Sequence, residues 1–141
     1  MKILLPTDGS AASLQAITFL LGNRNWFQPP LEFHLINVQQ PVRGDVGRFV
    51  GQDEVRSYHH DEGIKCLAAA RAVLDAAKVG YAFHVTVADD AGASIARFAR
   101  EQHFDLIAIG KKGQSAIAGA LLGSVATSVS RASSVPVLLV S

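Results

Sequence analysis

The feature that most constrains this chain is its alternation of short apolar runs with longer segments of helical period. Runs at residues 2–6, 32–38, 82–88, 105–109 and 136–140 have the length and apolar character of strands. Between them Leu14, Ile17 and Leu21 recur at helical spacing. So do Leu67, Ala70, Leu74 and Ala77, and then Ile95, Phe98 and Ala99. Each set marks one buried helical face. Gly22-Asn23 closes the first helix, Gly80 closes the second, and Asp90 caps the third. Strand and helix in strict succession require parallel pairing through right-handed crossovers. The class is therefore α/β: a single open five-stranded parallel sheet with helices on both faces.

The runs also rank themselves within the sheet. ILL in the first strand and LIAI in the fourth are continuously apolar, as strands covered on both faces should be, whereas FHVTV in the third alternates and suits an edge. With 141 residues the chain suits one domain, 1–141, and 49% hydrophobic against 18% charged residues favours a packed core over disorder. No run approaches the roughly 20 apolar residues that cross a bilayer, and MKILLPTDGS lacks the pattern of a secretion signal, so the expected compartment is the cytoplasm. A net charge of +1 argues against the broad basic surface of a nucleic-acid binder. The single Cys66 forms no internal disulfide, and beside Ile64, Leu67 and Ala68 it reads as a small packed residue. Residues 39–63 are polar and glycine-containing, a long loop running into a helix. His59-His60 within it read as solvated, His34 and His84 as partly buried strand residues, and His103 as the end of the third helix.

Ligands of open parallel sheets bind beyond the carboxyl ends of the strands, where the strand order reverses. Two segments qualify. PTDGS, residues 6–10, follows the first strand; Asp8 there can accept from an adenine amino group or a ribose hydroxyl, and Asp8 or Ser10 can equally cap the first helix. After the fourth strand, Gly110, Gly113 and Gly123-Ser124 form G-x2-G-x9-G-S ahead of a helical VATSVSRAS. Glycine permits positive φ and close approach to a ligand, and the bare amides of a helix start favour an anion, phosphate above all. Ser124 and, one turn later, Ser128 present hydroxyls there, and Lys111-Lys112 add positive charge. The same run also fits a plain loop with a helix cap, since it is neither of the two common glycine-rich phosphate fingerprints.

Taken together, ILLPTDGS, LINV, DLIAIG, the G-x2-G-x9-G-S signature and the terminal SVPVLLVS resemble the universal stress protein family nearly end to end. The resemblance implies a strand order of 3-2-1-4-5 in a Rossmann-like sheet of the adenine nucleotide alpha hydrolase type. In the ATP-binding branch, Pro6, Thr7 and Asp8 would line the adenine and ribose, and Val38 would contact the base through its backbone and side chain. Gly110, Gly113, Gly123 and Ser124 would wrap ribose and phosphates, Lys112 would add charge, and Val125 a main-chain N–H. No catalytic or metal-ligating residue is assigned, and Mg2+ would be held mainly by the phosphates. The family also implies homodimers through residues 136–140. The expected function is an ATP-binding regulator or adaptor in stress response, with slow or no hydrolysis. Two departures stand out: Lys111-Lys112 replaces a small hydroxyl residue followed by Arg or His, and ADDAGAS lacks the usual proline and glutamate. Two other readings stay open. One is an interaction module of this fold that binds no nucleotide. The other is an adenylating or pyrophosphate-releasing enzyme, whose SGG-x-DS loop or HIGH-like histidine pair is missing here.

Overall fold

The computed structural model describes residues 1–42, 51–113 and 118–141. Strand β1 (Lys2–Pro6) leads to helix α1 (Ala11–Gly22), a 3-10 turn (Arg24–Trp26) and β2 (Glu32–Gln39). Helix α2 (Gln52–Ala76), β3 (Tyr81–Val87), α3 (Ala91–Glu101), β4 (Leu106–Gly110), α4 (Ser124–Ala132) and β5 (Val137–Val140) follow. The five strands form one parallel sheet ordered β3-β2-β1-β4-β5, as the family resemblance implies.

Period-two alternation explains the two cores. Ile3, Leu5, Phe33 and Leu35 face α1 and α2, packing with Ile17, Leu20, Leu67 and Leu74. Leu4, Ile36, Ile107 and Ile109 face α3 and α4, packing with Ile95, Ala99, Ala126 and Val129. Each fully buried Leu or Ile contributes about 1.5–3 kcal/mol, so sheet and helices hold one another. The central β4 is buried along its whole length, while the edge strand β3 is half open.

Three local expectations change. The polar stretch 39–63 is largely helix from Gln52 onward, while residues 43–50 of it lie outside the described residues. At ~1.5 Å per residue the 25 residues of α2 outrun the strands it crosses, and its first turns need no apolar face. His59 is buried at 6% exposure, not solvated, because it shares the inward stripe of Gly63, Leu67, Ala70 and Leu74; His60 is exposed. Gly63 is required on that stripe, since a Cβ there would collide with the Val85 side chain. Nor does Gly80 close α2. Lys78 takes the left-handed conformation (φ 55°), with Lys78 N–H donating to Asp75 O (3.0 Å) and Val79 N–H to Leu74 O (3.1 Å), a Schellman end. His103 (φ 56°) ends α3 in the same way, with Phe104 N–H donating to Ala99 O (2.9 Å).

His34 and His84 lie between β2, β3 and α3, as half-buried packing residues. His34 Nδ1 is 3.0 Å from His84 Nε2, the rings are parallel, and Phe104 and Phe98 close around them. Burial pushes both histidines below the ordinary value of 6.5; Lys2 lowers both further, and Glu32 opposes the shift at His34. The unfolded chain therefore binds more protons than the folded one just below pH 6.5, and stability rises with pH across that window. Urea midpoints are expected to fall between neutral pH and about pH 5.5, and the double variant His34→Gln, His84→Gln should flatten that fall. An unchanged slope in the double variant would assign the effect to other groups.

Candidate functional site

The cleft opens beyond the carboxyl ends of β1 and β4, where the sheet order reverses. It has about 590 Å³ of free space, counting its mouth. All ten residues expected from the sequence line it: Pro6, Thr7, Asp8, Val38, Gly110, Lys112, Gly113, Gly123, Ser124 and Val125. Residues not expected complete the wall, namely Ser13, Ile36, Asn37, Ala91, Ile95, Ile109 and Ala126. Ile36 and Ile109 were legible as strand-end neighbours of Val38 and Gly110. Ala91 and Ile95 arrive only because α3 packs across β2, which no local pattern announces.

One end of the cleft is apolar, formed by Pro6, Ile36, Val38, Ile95 and Ile109. Main-chain direction alternates along β2. Thr7 N–H donates to Ile36 O at 2.9 Å, so Ile36 turns its peptide groups toward β1, and Val38, two residues on, turns its own the same way. But β1 has ended at Pro6. The Val38 N–H and C=O therefore face the cleft as an adjacent donor and acceptor above an apolar floor.

Thr7 is an anchor at 5% exposure. Its Oγ1 lies 2.9 Å from Ser13 Oγ in α1 and accepts from Gly9 N–H at 3.3 Å, and its carbonyl accepts from Asn37 Nδ2 at 2.8 Å. It lines the cleft with its hydroxyl already committed. Of the two capping candidates, Ser10 caps α1 by accepting from Ser13 N–H (3.3 Å), while Asp8 Oδ1 accepts from Ser10 N–H (2.9 Å). Asp8 Oδ2 reaches across to the glycine run: a Cβ on Gly113 would sit 2.6 Å from it.

The glycines act by closeness. Positive φ occurs at Gly9 (82°) and Gly119 (86°), and not at Gly110, Gly113 or Gly123, contrary to the expectation for that signature. Gly110 carries no side chain because a Cβ would enter the Ala12 carbonyl of α1. Gly123 folds back on the start of the run, its N–H donating to Lys111 O (2.8 Å), and a Cβ there would lie 3.3 Å from Gly113 N. Residues 114–117 of this segment lie outside the described residues.

Gly123 is also the N-cap of α4 and supplies no capping side chain. The first turn of α4, Ser124 to Ala126, lines the cleft, and the helical bonding begins with Thr127 N–H to Gly123 O at 3.0 Å. These bare amides and the helix dipole make this end favourable to an anion. Of the lysine pair, Lys112 lines the cleft, while Lys111 N–H donates to Val140 O (2.7 Å) and extends the sheet. Ser128 does not join Ser124, as the one-turn spacing led us to expect. Its hydroxyl donates to Asp90 Oδ1 (2.9 Å), clasping α4 to the cap of α3. The Ala93 N–H and then the Ser128 hydroxyl hold the Asp90 carboxyl below its usual range. Gly92 lets the two helices touch, since a Cβ there would strike Ser128. Among the described residues no cluster of three or more His, Cys, Asp or Glu side chains could hold a metal.

Fold and site together define a parallel α/β sheet whose reversal cleft suits a flat apolar group with an anionic tail. The universal stress protein family is matched over residues 1–141, and the chain belongs to that family. A universal stress protein of Methanocaldococcus jannaschii is 32% identical over 146 residues, spanning 99% of this chain and 81% of that protein. A solved universal stress protein in complex with cAMP is 26% identical, with a TM-score of 0.68 over 100% of this chain and 97% of its own. The universal stress protein of Archaeoglobus fulgidus in complex with dAMP shares the fold at 18% identity, with a TM-score of 0.69 over 100% and 98% of the two chains.

If Gly110 serves helix packing, Gly110→Ala should lower unfolding free energy by about 1–3 kcal/mol, the usual cost of overpacking. Gly123→Ala, whose nearest neighbours stand 3.3 Å off, should cost less. Urea denaturation compares the two, and equal losses would refute the assignment.

Proposed function

We propose that the cleft holds an adenine nucleotide, ATP with Mg2+ carried mainly by its phosphates, and that the protein is a nucleotide-dependent regulator or adaptor in stress response. One observation carries this reading: a single cleft joins the outward Val38 peptide groups over an apolar floor to the uncapped α4 amides and Lys112. The first arrangement suits the donor–acceptor edge of a purine, and the second suits phosphates. The relatives' complexes with cAMP and dAMP support an adenine base. In this reading Pro6 lines the base, Val38 contacts it through its backbone and side chain, Asp8 accepts from a ribose hydroxyl, and Gly113, Gly123, Ser124 and Val125 present main chain to the phosphates. Lys112 beyond the α4 start extends the positive field toward a triphosphate tail.

Hydrolysis would be slow or absent. Phosphoryl transfer needs a positioned nucleophile, and the only acidic side chain lining the cleft among the described residues is Asp8, already bonded to Ser10 N–H. A second reading, an interaction module that binds no nucleotide, draws on Gly110, whose missing side chain α1 requires with or without a ligand. Mass spectrometry of the protein as purified and after ATP incubation separates the two. Wild type is expected to retain ATP, Gly113→Val to lose it as the new side chain displaces Asp8, and Lys112→Ala to bind it several-fold more weakly. Retention by none of the three favours the interaction module, and equal retention by all moves the site away from this cleft.

We further propose a cytoplasmic homodimer through β5. Its outer edge pairs with no strand among the described residues, and an uncovered edge invites a second copy. Leu138 packs inward on the core, while Leu139 is exposed. Leu139→Lys should raise the monomer fraction in sedimentation velocity. A dimer indifferent to this charge would have its interface elsewhere.

A further inference from the structure

We infer that Asn37, its amide backed by Gln39, is the positioning residue for the base and ribose half of the cleft. The inference rests on the adenine-nucleotide reading and goes beyond it to the residue that sets the cleft's shape. β1 stops at Pro6, and Thr7 N–H makes one more bond to β2, at Ile36 O, before the chain turns away toward α1. The Asn37 side chain holds the carbonyl of the same residue, Nδ2 donating to Thr7 O at 2.8 Å from a site only 3% exposed.

An asparagine amide is nearly symmetric in shape, so packing alone does not decide which end faces Thr7. The Thr7 carbonyl, which can only accept, turns the nitrogen toward itself, and Gln39 supports that orientation by donating from Nε2 to the opposite oxygen, Asn37 Oδ1, at 2.6 Å. The same Gln39 nitrogen lies 3.8 Å from Cys66 Sγ in α2, a second and weaker acceptor that keeps the donor end of Gln39 turned inward. The line of side chains from α2 through Gln39 and Asn37 ends at the Thr7 carbonyl, one residue from Asp8. Asn37 and Gln39 alternate with Val38, so their side chains lie on the α2 side of the sheet and the Val38 side chain on the α3 side.

The phosphate half hangs on different elements, β4 and the start of α4. Loosening Thr7 therefore weakens adenosine and ATP by the same factor and leaves the ratio of their affinities unchanged, which a general loss of packing would not do. Titration calorimetry of wild type, Asn37→Ala and Gln39→Glu with adenosine and with ATP tests this. Both variants are expected to bind each ligand about five- to tenfold more weakly, the net worth of one buried hydrogen bond. In Gln39→Glu a carboxylate would face Asn37 Oδ1 and turn the amide round. Unchanged adenosine affinity overturns the inference, and so does an ATP loss exceeding the adenosine loss. If Asn37→Ala fails to fold, the half-buried Gln39→Glu decides alone by the same two criteria. Wild type that takes up neither ligand overturns the nucleotide reading itself, and the inference with it.

Discussion

The unequal length of two neighbouring strands governs this cleft. β1 and β2 run in register from Lys2 and Glu32 to Pro6 and Ile36, then β1 ends and β2 continues to Gln39. Past that point Val38 has an apolar side chain on the α3 face and peptide groups directed at empty space where a strand would otherwise lie. Had β1 run two residues further, those groups would have closed into the sheet. The turn that ends β1 is itself over-determined. Thr7 is tied to Ile36, Asn37 and Ser13, Gly9 takes a left-handed conformation against the Cys66 backbone, and Ser10 caps α1.

Facing this turn, the other wall is built from backbone brought unusually close. Gly110 approaches α1, Gly123 approaches Gly113 and Lys112, and the run meets the loop after β1 where Gly113 approaches the Asp8 carboxylate. A glycine signature of this kind answers two demands at once. Gly110 is needed by the fold, since the Ala12 carbonyl lies where its side chain would be. Gly123 caps α4 with no side chain and leaves the first-turn amides facing the cleft. The clasp of Ser128 on Asp90 then fixes the position of α4 relative to α3, so the apolar wall at Ile95 and the amide wall at Val125 stand at a set separation.

Much of this was readable along the chain. Every strand was located to within a residue at either end, because runs such as LIAI and ILL have no other way to bury continuous apolar surface. Ten of the residues that line the cleft were legible from two strand-end segments and LINV, through family resemblance. The misreadings share a cause. His59 looked solvated because residues 52–63 are polar overall, although one stripe of that helix is buried. Ser128 looked like a partner of Ser124 because helical spacing does not reveal a neighbouring helix, and Asp90 lies 38 residues away in the chain.

By itself, the amino-acid sequence determined the class, the strand positions and the identity of the groups that gather at the reversal point. Periodicity and turn chemistry are local, and each residue carries them wherever the chain goes. Tertiary structure decided which of those groups are spent and which are presented. Thr7 and Ser128 commit their hydroxyls inside the protein, whereas Val38 and the start of α4 turn main-chain groups into the cleft. That division depends on where β1 stops beside β2 and how closely α1, α3 and α4 approach, and such distances between remote segments exist only once the chain has packed.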